Sequence, residues 1–265
     1  MVTIIRKEGW VMSPIELSFI VLVIIFGGTL LGMFLRGSLP EHHLSADSKD
    51  VMKLGTGMVA TMAALVLGLL VSSAKGTFDT MNSGLKLTAA KMFLLDRTMA
   101  HYGPETKEAR DILRRGVIAS IQRIWPKEKN AIALEKVGQG GQGLEDLEKK
   151  LRQLTPQNDD QRQLQSQALQ TTRELEEARL LLIGQVGQSS LPPPFVVLLI
   201  CWLFIIFFNF GMFTSRNTSV LVVLFVSALS VASSLFLILE LDQPYAGLIK
   251  ISSYPLINTL AHLGQ

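Results

Sequence analysis

One cysteine in 265 residues, Cys201, leaves nothing within the chain for it to pair with, so an internal disulfide is excluded. It sits inside an apolar run, where the ordinary expectation is a small buried hydrophobe. The net charge is only +3, too small to mark a nucleic-acid binder. No Gly-x-Ser-x-Gly elbow is present. The glycine-rich run Gly138-Gln-Gly-Gly-Gln-Gly143 lacks the Gly-Lys-Ser/Thr ending of a phosphate loop and follows no strand, which excludes nucleotide binding there. The four histidines fall at His42, His43, His101 and His262. Only His42-His43, near Asp47 and Asp50, invites a metal, and adjacent residues on a helix point about 100° apart. The expectation is no metal, no cofactor and no enzymatic activity.

Two further absences are informative. From Leu54 to Ala74 there is no charge, and from Leu54 to Tyr102 there is no proline. Roughly 20 apolar residues at 1.5 Å each cross a bilayer's hydrocarbon core. Nothing then stops the helix before Gly103-Pro104. Beyond Lys75, Phe78, Met81, Leu85, Thr88, Met92, Leu95, Met99 and Tyr102 alternate by three and four, as in a helical packing seam. The stretch therefore predicts one long helix that crosses lipid and carries on into a packed bundle. Within its apolar part Thr56, Ala60, Ala64, Gly68 and Ser72 recur at every fourth position. Such a line of small side chains lets another backbone come close or lines a narrow pore.

Three more apolar runs have spanning length: Ile15–Leu35, Phe195–Phe213 and Val220–Leu239. The first is longer than a signal peptide's apolar region and is read as uncleaved, with Gly27, Gly28 and Gly32 as a small face for helix contact. Asn209 in the third is read as an interhelical hydrogen-bonding group. Between the second and third spans, Pro104 to Ile124 predicts a helix with Leu113, Val117, Ile121 and Ile124 buried. Arg110, Arg114, Arg115 and Arg123 are read as its wet side. Leu144–Leu154 reads as a short charged helix, followed by a cap at Thr155-Pro156. A long helix then follows, with Leu164, Ala168, Thr171, Leu175, Ala178 and Leu182 as its seam.

The expected fold is all-α, with three regions. Residues 1–74 carry spans one and two. Residues 75–193 form a cytosolic helical bundle with a flexible insert at 127–143. Residues 194–265 carry spans three and four and an amphipathic tail. Near the spans, Arg6, Lys7, Lys75, Lys86, Lys91 and Lys250 fall on one side; Arg36, Lys49, Lys53 and Arg216 fall on the other. That bias places both termini and the bundle in the cytoplasm.

Acidic groups close to lipid are costly to place. Glu16 starts the first span, and Glu240 and Asp242, followed by Gln243, end the fourth. Two readings stand: interfacial groups that are solvated or paired, or a cation-binding or gating cluster at a pore mouth.

Several stretches together resemble a bacterial membrane family known as bestrophin-like. They are His42-His43-Leu-Ser, Lys53-Leu-Gly-Thr-Gly with the apolar run after it, Leu95-Asp-Arg-Thr-Met-Ala-His-Tyr-Gly-Pro-Glu105, Trp125-Pro126, Phe210-Gly-Met-Phe, Arg216-Asn217, Leu237-Ile-Leu-Glu-Leu-Asp-Gln-Pro-Tyr-Ala-Gly247 and Ile251-Ser-Ser-Tyr-Pro255. The likeness covers His42 to Gly264 apart from Lys127–Gly143. It implies kinship with bestrophins, pentameric anion channels with four spans per subunit and cytosolic ends. The implied protein is a homo-oligomer in the lipid bilayer of the bacterial inner membrane, passing an inorganic ion. Two bestrophin features do not carry over. The bulky neck residues of their second span are replaced here by Thr56, Ala60, Ala64, Gly68 and Ser72. Their acidic calcium clasp has no counterpart after Gln243-Pro-Tyr-Ala-Gly247. Four spans with long helices between the second and third also resemble proton-driven stators. The alternative is therefore a non-conducting scaffold whose bundle docks a partner chain.

Overall fold

The computed structural model describes residues 5–6, 9–10, 13–37, 46–125, 143–185, 191–214, 217–245 and 247–264. Apart from a two-residue antiparallel pairing of Ile5–Arg6 with Gly9–Trp10, the described residues are helices and their connections. The helices are α1 (Pro14–Arg36), α2 (Ala46–Tyr102), α3 (Lys107–Ile124), α4 (Gly143–Arg152), α5 (Asp159–Gln185), α6 (Pro193–Phe213), α7 (Thr218–Leu241) and α8 (Tyr254–His262). Four of them, α1, α2, α6 and α7, are long and apolar enough to cross a membrane. The chain divides into two compact units. Met1–Phe78 with Gly187–Ile249 forms one, and Asp79–Val186 with Lys250–Gln265 the other. Helix α2, 57 residues without a break, belongs in part to each.

The first unit is α1, the first part of α2, α6 and α7. Ser13 and Glu16 start α1 as a reciprocal cap. The Ser13 hydroxyl accepts from the Glu16 N–H (3.2 Å), and the Glu16 carboxylate accepts from the Ser13 N–H (3.0 Å). Glycine then sets how closely α1 and α6 approach. A Cβ at Gly32 would collide with the backbone of Phe208, and one at Gly211 with the backbone of Thr29. The two helices thus touch backbone to backbone, as small residues permit where lipid gives no hydrophobic drive. Around that contact Val21, Ile25, Leu199, Ala228, Leu235 and Ile238 make a closed core. Cys201 is not part of it. The thiol is exposed on the same side of α6 as Leu198 and Ile205, which corrects the expectation of burial. In a span the outward side is as apolar as the inward side, so an apolar neighbourhood in sequence does not imply a buried position.

The second unit holds the rest of α2 with α3, α4, α5 and α8. The seam residues Met81, Leu85, Thr88, Leu95, Met99 and Tyr102 are buried, and Met92 half-buried. Each large apolar member contributes roughly 2 kcal/mol by leaving water. Leu113, Val117 and Ile121 bury the α3 stripe, while Ala168, Thr171 and Leu175 bury that of α5. Helix α5 starts later than Thr155-Pro156 implies. Asn158 is the cap, its side-chain oxygen accepting from the Gln161 N–H (2.7 Å), with Asp159 and Asp160 in the first turn. Residues 250–264 group with this unit rather than with the spans. The Trp125 indole donates to the Ile251 carbonyl (2.9 Å), and the Thr259 hydroxyl reaches the Ala89 carbonyl (3.3 Å).

Candidate functional site

The every-fourth-residue line on α2 is not straight. Steps of four advance about 40° each on a helix with 3.6 residues per turn. The line therefore winds from the packed face to the open one. Thr56 is buried, Ala60 half-buried, and Ala64, Gly68 and Ser72 exposed. The packed face follows Thr56, Ala63, Leu70 and Ala74 instead. Thr56 is held there, since its hydroxyl donates to the Met52 carbonyl (2.8 Å) and accepts from Asn209 Nδ2 on α6 (3.0 Å). The interhelical role expected of Asn209 is thus met. Space is open around a Cβ built at Gly68. Of the five candidate lining residues, three remain on accessible surface of the single chain.

The carboxylates at the end of α7 separate into different roles. Glu240 is 2% exposed, and its carboxylate accepts from the N–H groups of Leu248 and, at 3.1 Å, Ile249. Gly247 has φ +89°, and a Cβ there would strike that carboxylate. Glu240 therefore folds the loop after α7 onto itself, and the loop requires glycine at 247. Asp242 and Gln243 are half-buried, and the Gln243 N–H donates to the Glu240 carbonyl (3.2 Å). Burial pushes the Tyr245 phenol above its ordinary value. Glu16 is occupied by the Ser13 cap. Among the described residues no three His, Cys, Asp or Glu side chains gather as a metal set. His42, His43, Ser45, Arg216 and the 127–142 insert lie outside the described residues.

The strongest polar constellation is one that sequence reasoning missed. Asp96, 1% exposed, is gripped by Arg110: Nε to one oxygen at 2.7 Å and Nη2 to the other at 2.9 Å. The Gly264 N–H donates to the same carboxylate (3.3 Å). Arg110 is therefore not on the wet side of α3, unlike Arg114, Arg115 and Arg123. The hydrogen bond to Asp96 raises the guanidinium's pKa against the opposing effect of burial, so it stays charged. Asp96 ties α2, α3 and the end of the chain together within the second unit. The one available signal was an acid set inside the apolar seam, between Leu95 and Met99.

A family model described as Bestrophin-like domain matches residues 23–256. The chain belongs to the bestrophin-like family. No curated protein and no solved structure matches it. In this bestrophin-like chain the matched span takes in α2, Asp96, Arg110 and the Glu240 loop, but stops before Gly264. The side chains gathered here bind backbone or one another. What α2 offers instead is a long uncharged surface with small residues at Ala64, Gly68 and Ser72.

Proposed function

We propose that this bestrophin-like protein is one subunit of a homo-oligomeric ion channel that conducts anions, with five copies as the bestrophin kinship implies, and that it is not an enzyme. One observation carries the reading. Helix α2 is the least buried of the four membrane-capable helices, with 17% of its apolar window covered against 28–39% for the others. Its open face carries Ala64, Gly68 and Ser72, uncharged and small, on a helix that continues unbroken past them. Copies arranged about an axis along that face would leave a passage between them. Lys75, exposed one turn beyond Ser72 with its ammonium over the Phe78 ring (5.7 Å), places positive charge near where an anion would enter or leave. The family resemblance supports the bacterial inner membrane, and the basic bias near the spans supports placing the termini and second unit in the cytoplasm. The Glu240 loop is structural in this reading, and gating by Asp242 or Gln243 is left to side chains only half-buried.

Planar-bilayer recording of the purified protein tests it. Chloride-selective current is expected, reduced by Gly68→Trp and shifted toward cations by Lys75→Glu. Silence across both chloride and cation gradients refutes it. The scaffold reading draws support from large apolar side chains left open on the second unit, Leu87, Leu94 and Leu181. Recovery of a stoichiometric single-span partner, together with absence of current, would favour it.

A further inference from the structure

Between Asp79 and Tyr102 the open side of α2 is not what water favours. Leu87 and Leu94 are 58% and 49% exposed, and Phe93 is 41% exposed. Leu87 lies about 20 Å along the helix beyond Ala74, so a hydrocarbon layer that accommodates the apolar run ends well short of it. Ser83, Leu87, Ala90 and Leu94 share one face, flanked on one side by Lys86, Phe93 and Arg97. Helix α5 borders the other side. It is fastened there by Lys91–Glu174 (2.8 Å) and by Gln161 Nε2 to the Tyr102 carbonyl (3.0 Å). These two contacts run in opposite order along the helices, so α5 is antiparallel to α2, and Lys86 stands level with Glu177. Glu177 is exposed and Leu181 is 67% exposed. The face therefore has a basic flank at Lys86 and Arg97 and, on the other side, the single acid Glu177 one turn from Arg173, each with apolar surface beside it; Glu174 is taken up by Lys91.

We propose that these flanks are the two halves of an interface between copies of this chain. Leu87, Leu94, Glu177 and Leu181 of one copy meet Lys86, Ala90, Phe93 and Arg97 of the next. The two surfaces differ, so the contact is head-to-tail, and rotation about an axis parallel to α2 closes it into a ring. That rotation preserves height along α2, which brings Lys86 to Glu177. A two-fold contact of like with like would instead set Lys86 against Lys86, which charge disfavours. The inference deepens the homo-oligomer of the reading above, and its test does not depend on conduction.

The test uses full-length protein carrying Cys201→Ser, in detergent. A chain with Lys86→Cys is co-expressed with a chain carrying Glu177→Cys and treated with a short bis-maleimide. A cross-linked pair is expected from the mixture and none from either chain alone. By native mass spectrometry, Lys86→Glu and Glu177→Lys each raise the monomer fraction about fivefold, and the double variant returns it to within about twofold of wild type. Cross-linking of Lys86→Cys with itself overturns the proposal, as does an assembled mixture that gives no cross-link, or a double variant worse than either single. Assembly that passes these tests yet carries no current would refute the channel reading alone. A conducting oligomer that fails the charge swap would refute this interface alone.

Discussion

Asp96→Asn removes the charge from a bidentate pair whose carboxylate is 1% exposed and whose guanidinium is 19% exposed. Breaking a buried pair from one side costs about 3–5 kcal/mol, because the remaining charge has lost its compensation. Arg110 keeps part of its surface in water, which brings the expected loss to about 2–4 kcal/mol. For a unit of this size that is a fall in Tm on the order of 5–15 °C. The Gly264 N–H keeps an amide oxygen as acceptor, so its contribution to the loss is small. Trp125, 3% exposed in the same unit, reports the unfolding. With Trp10→Phe and Trp202→Phe in the background it is the sole indole, and its emission against temperature is the assay. The partner experiment is Asp96→Leu with Arg110→Met. Apolar replacement of both charges leaves neither uncompensated and should return stability to within about 1 kcal/mol of the parent. A single variant within about 0.5 kcal/mol of the parent, or a double variant below the worse single, would refute the account of the pair.

Three other outcomes follow from the packing. Gly211→Leu should abolish the close approach of α1 and α6 and yield protein that aggregates on extraction, whereas Gly27→Leu, at a position with open space, should extract normally; equal yields on size-exclusion chromatography would contradict this. Asn209→Leu removes the bond to Thr56 and should cost about 0.6–2 kcal/mol in a chemical-denaturant titration; a gain in stability would mean the bond contributes nothing. Lys91, then Gln170, hold the Glu174 carboxyl below its ordinary value of 4.5. A folded-state pKa that is depressed gives stability present above the ordinary value and lost as pH falls through the folded one. The Tm should therefore drop less between about pH 5 and pH 3 in Glu174→Gln than in the parent, and parallel curves would show the pairing to be without effect.

The spans were legible because a run of about 20 apolar residues has few other uses. The seam from Met81 to Tyr102 was legible because its spacing alternates by three and four. Of the small face read from Gly27, Gly28 and Gly32, the last two make the α1 contact, whereas Gly27 is exposed with open space around it and takes no part. What stayed hidden depended on partners distant in sequence or on direction around a helix. Arg110 looked like its neighbours Arg114 and Arg115, and nothing local said that Asp96, fourteen residues back, faced it. Glu240 could be read as solvated, paired or gating until the loop eight and nine residues later supplied two N–H groups. The small-residue line was visible as a repeat, but its 40° drift per step decided that Thr56 faces Asn209 and Ser72 does not. At α5, Thr155-Pro156 and Asn158 both have cap chemistry, and only the bond to Gln161 separates them.

The thiol on the outside of α6 has a practical consequence. A single exposed thiol is a ready anchoring point for a fluorophore or spin label, with no engineering of the natural sequence. Because it shares its side of the helix with Leu198 and Ile205, a lipid-soluble maleimide would read out whether acyl chains or another subunit occupies that surface.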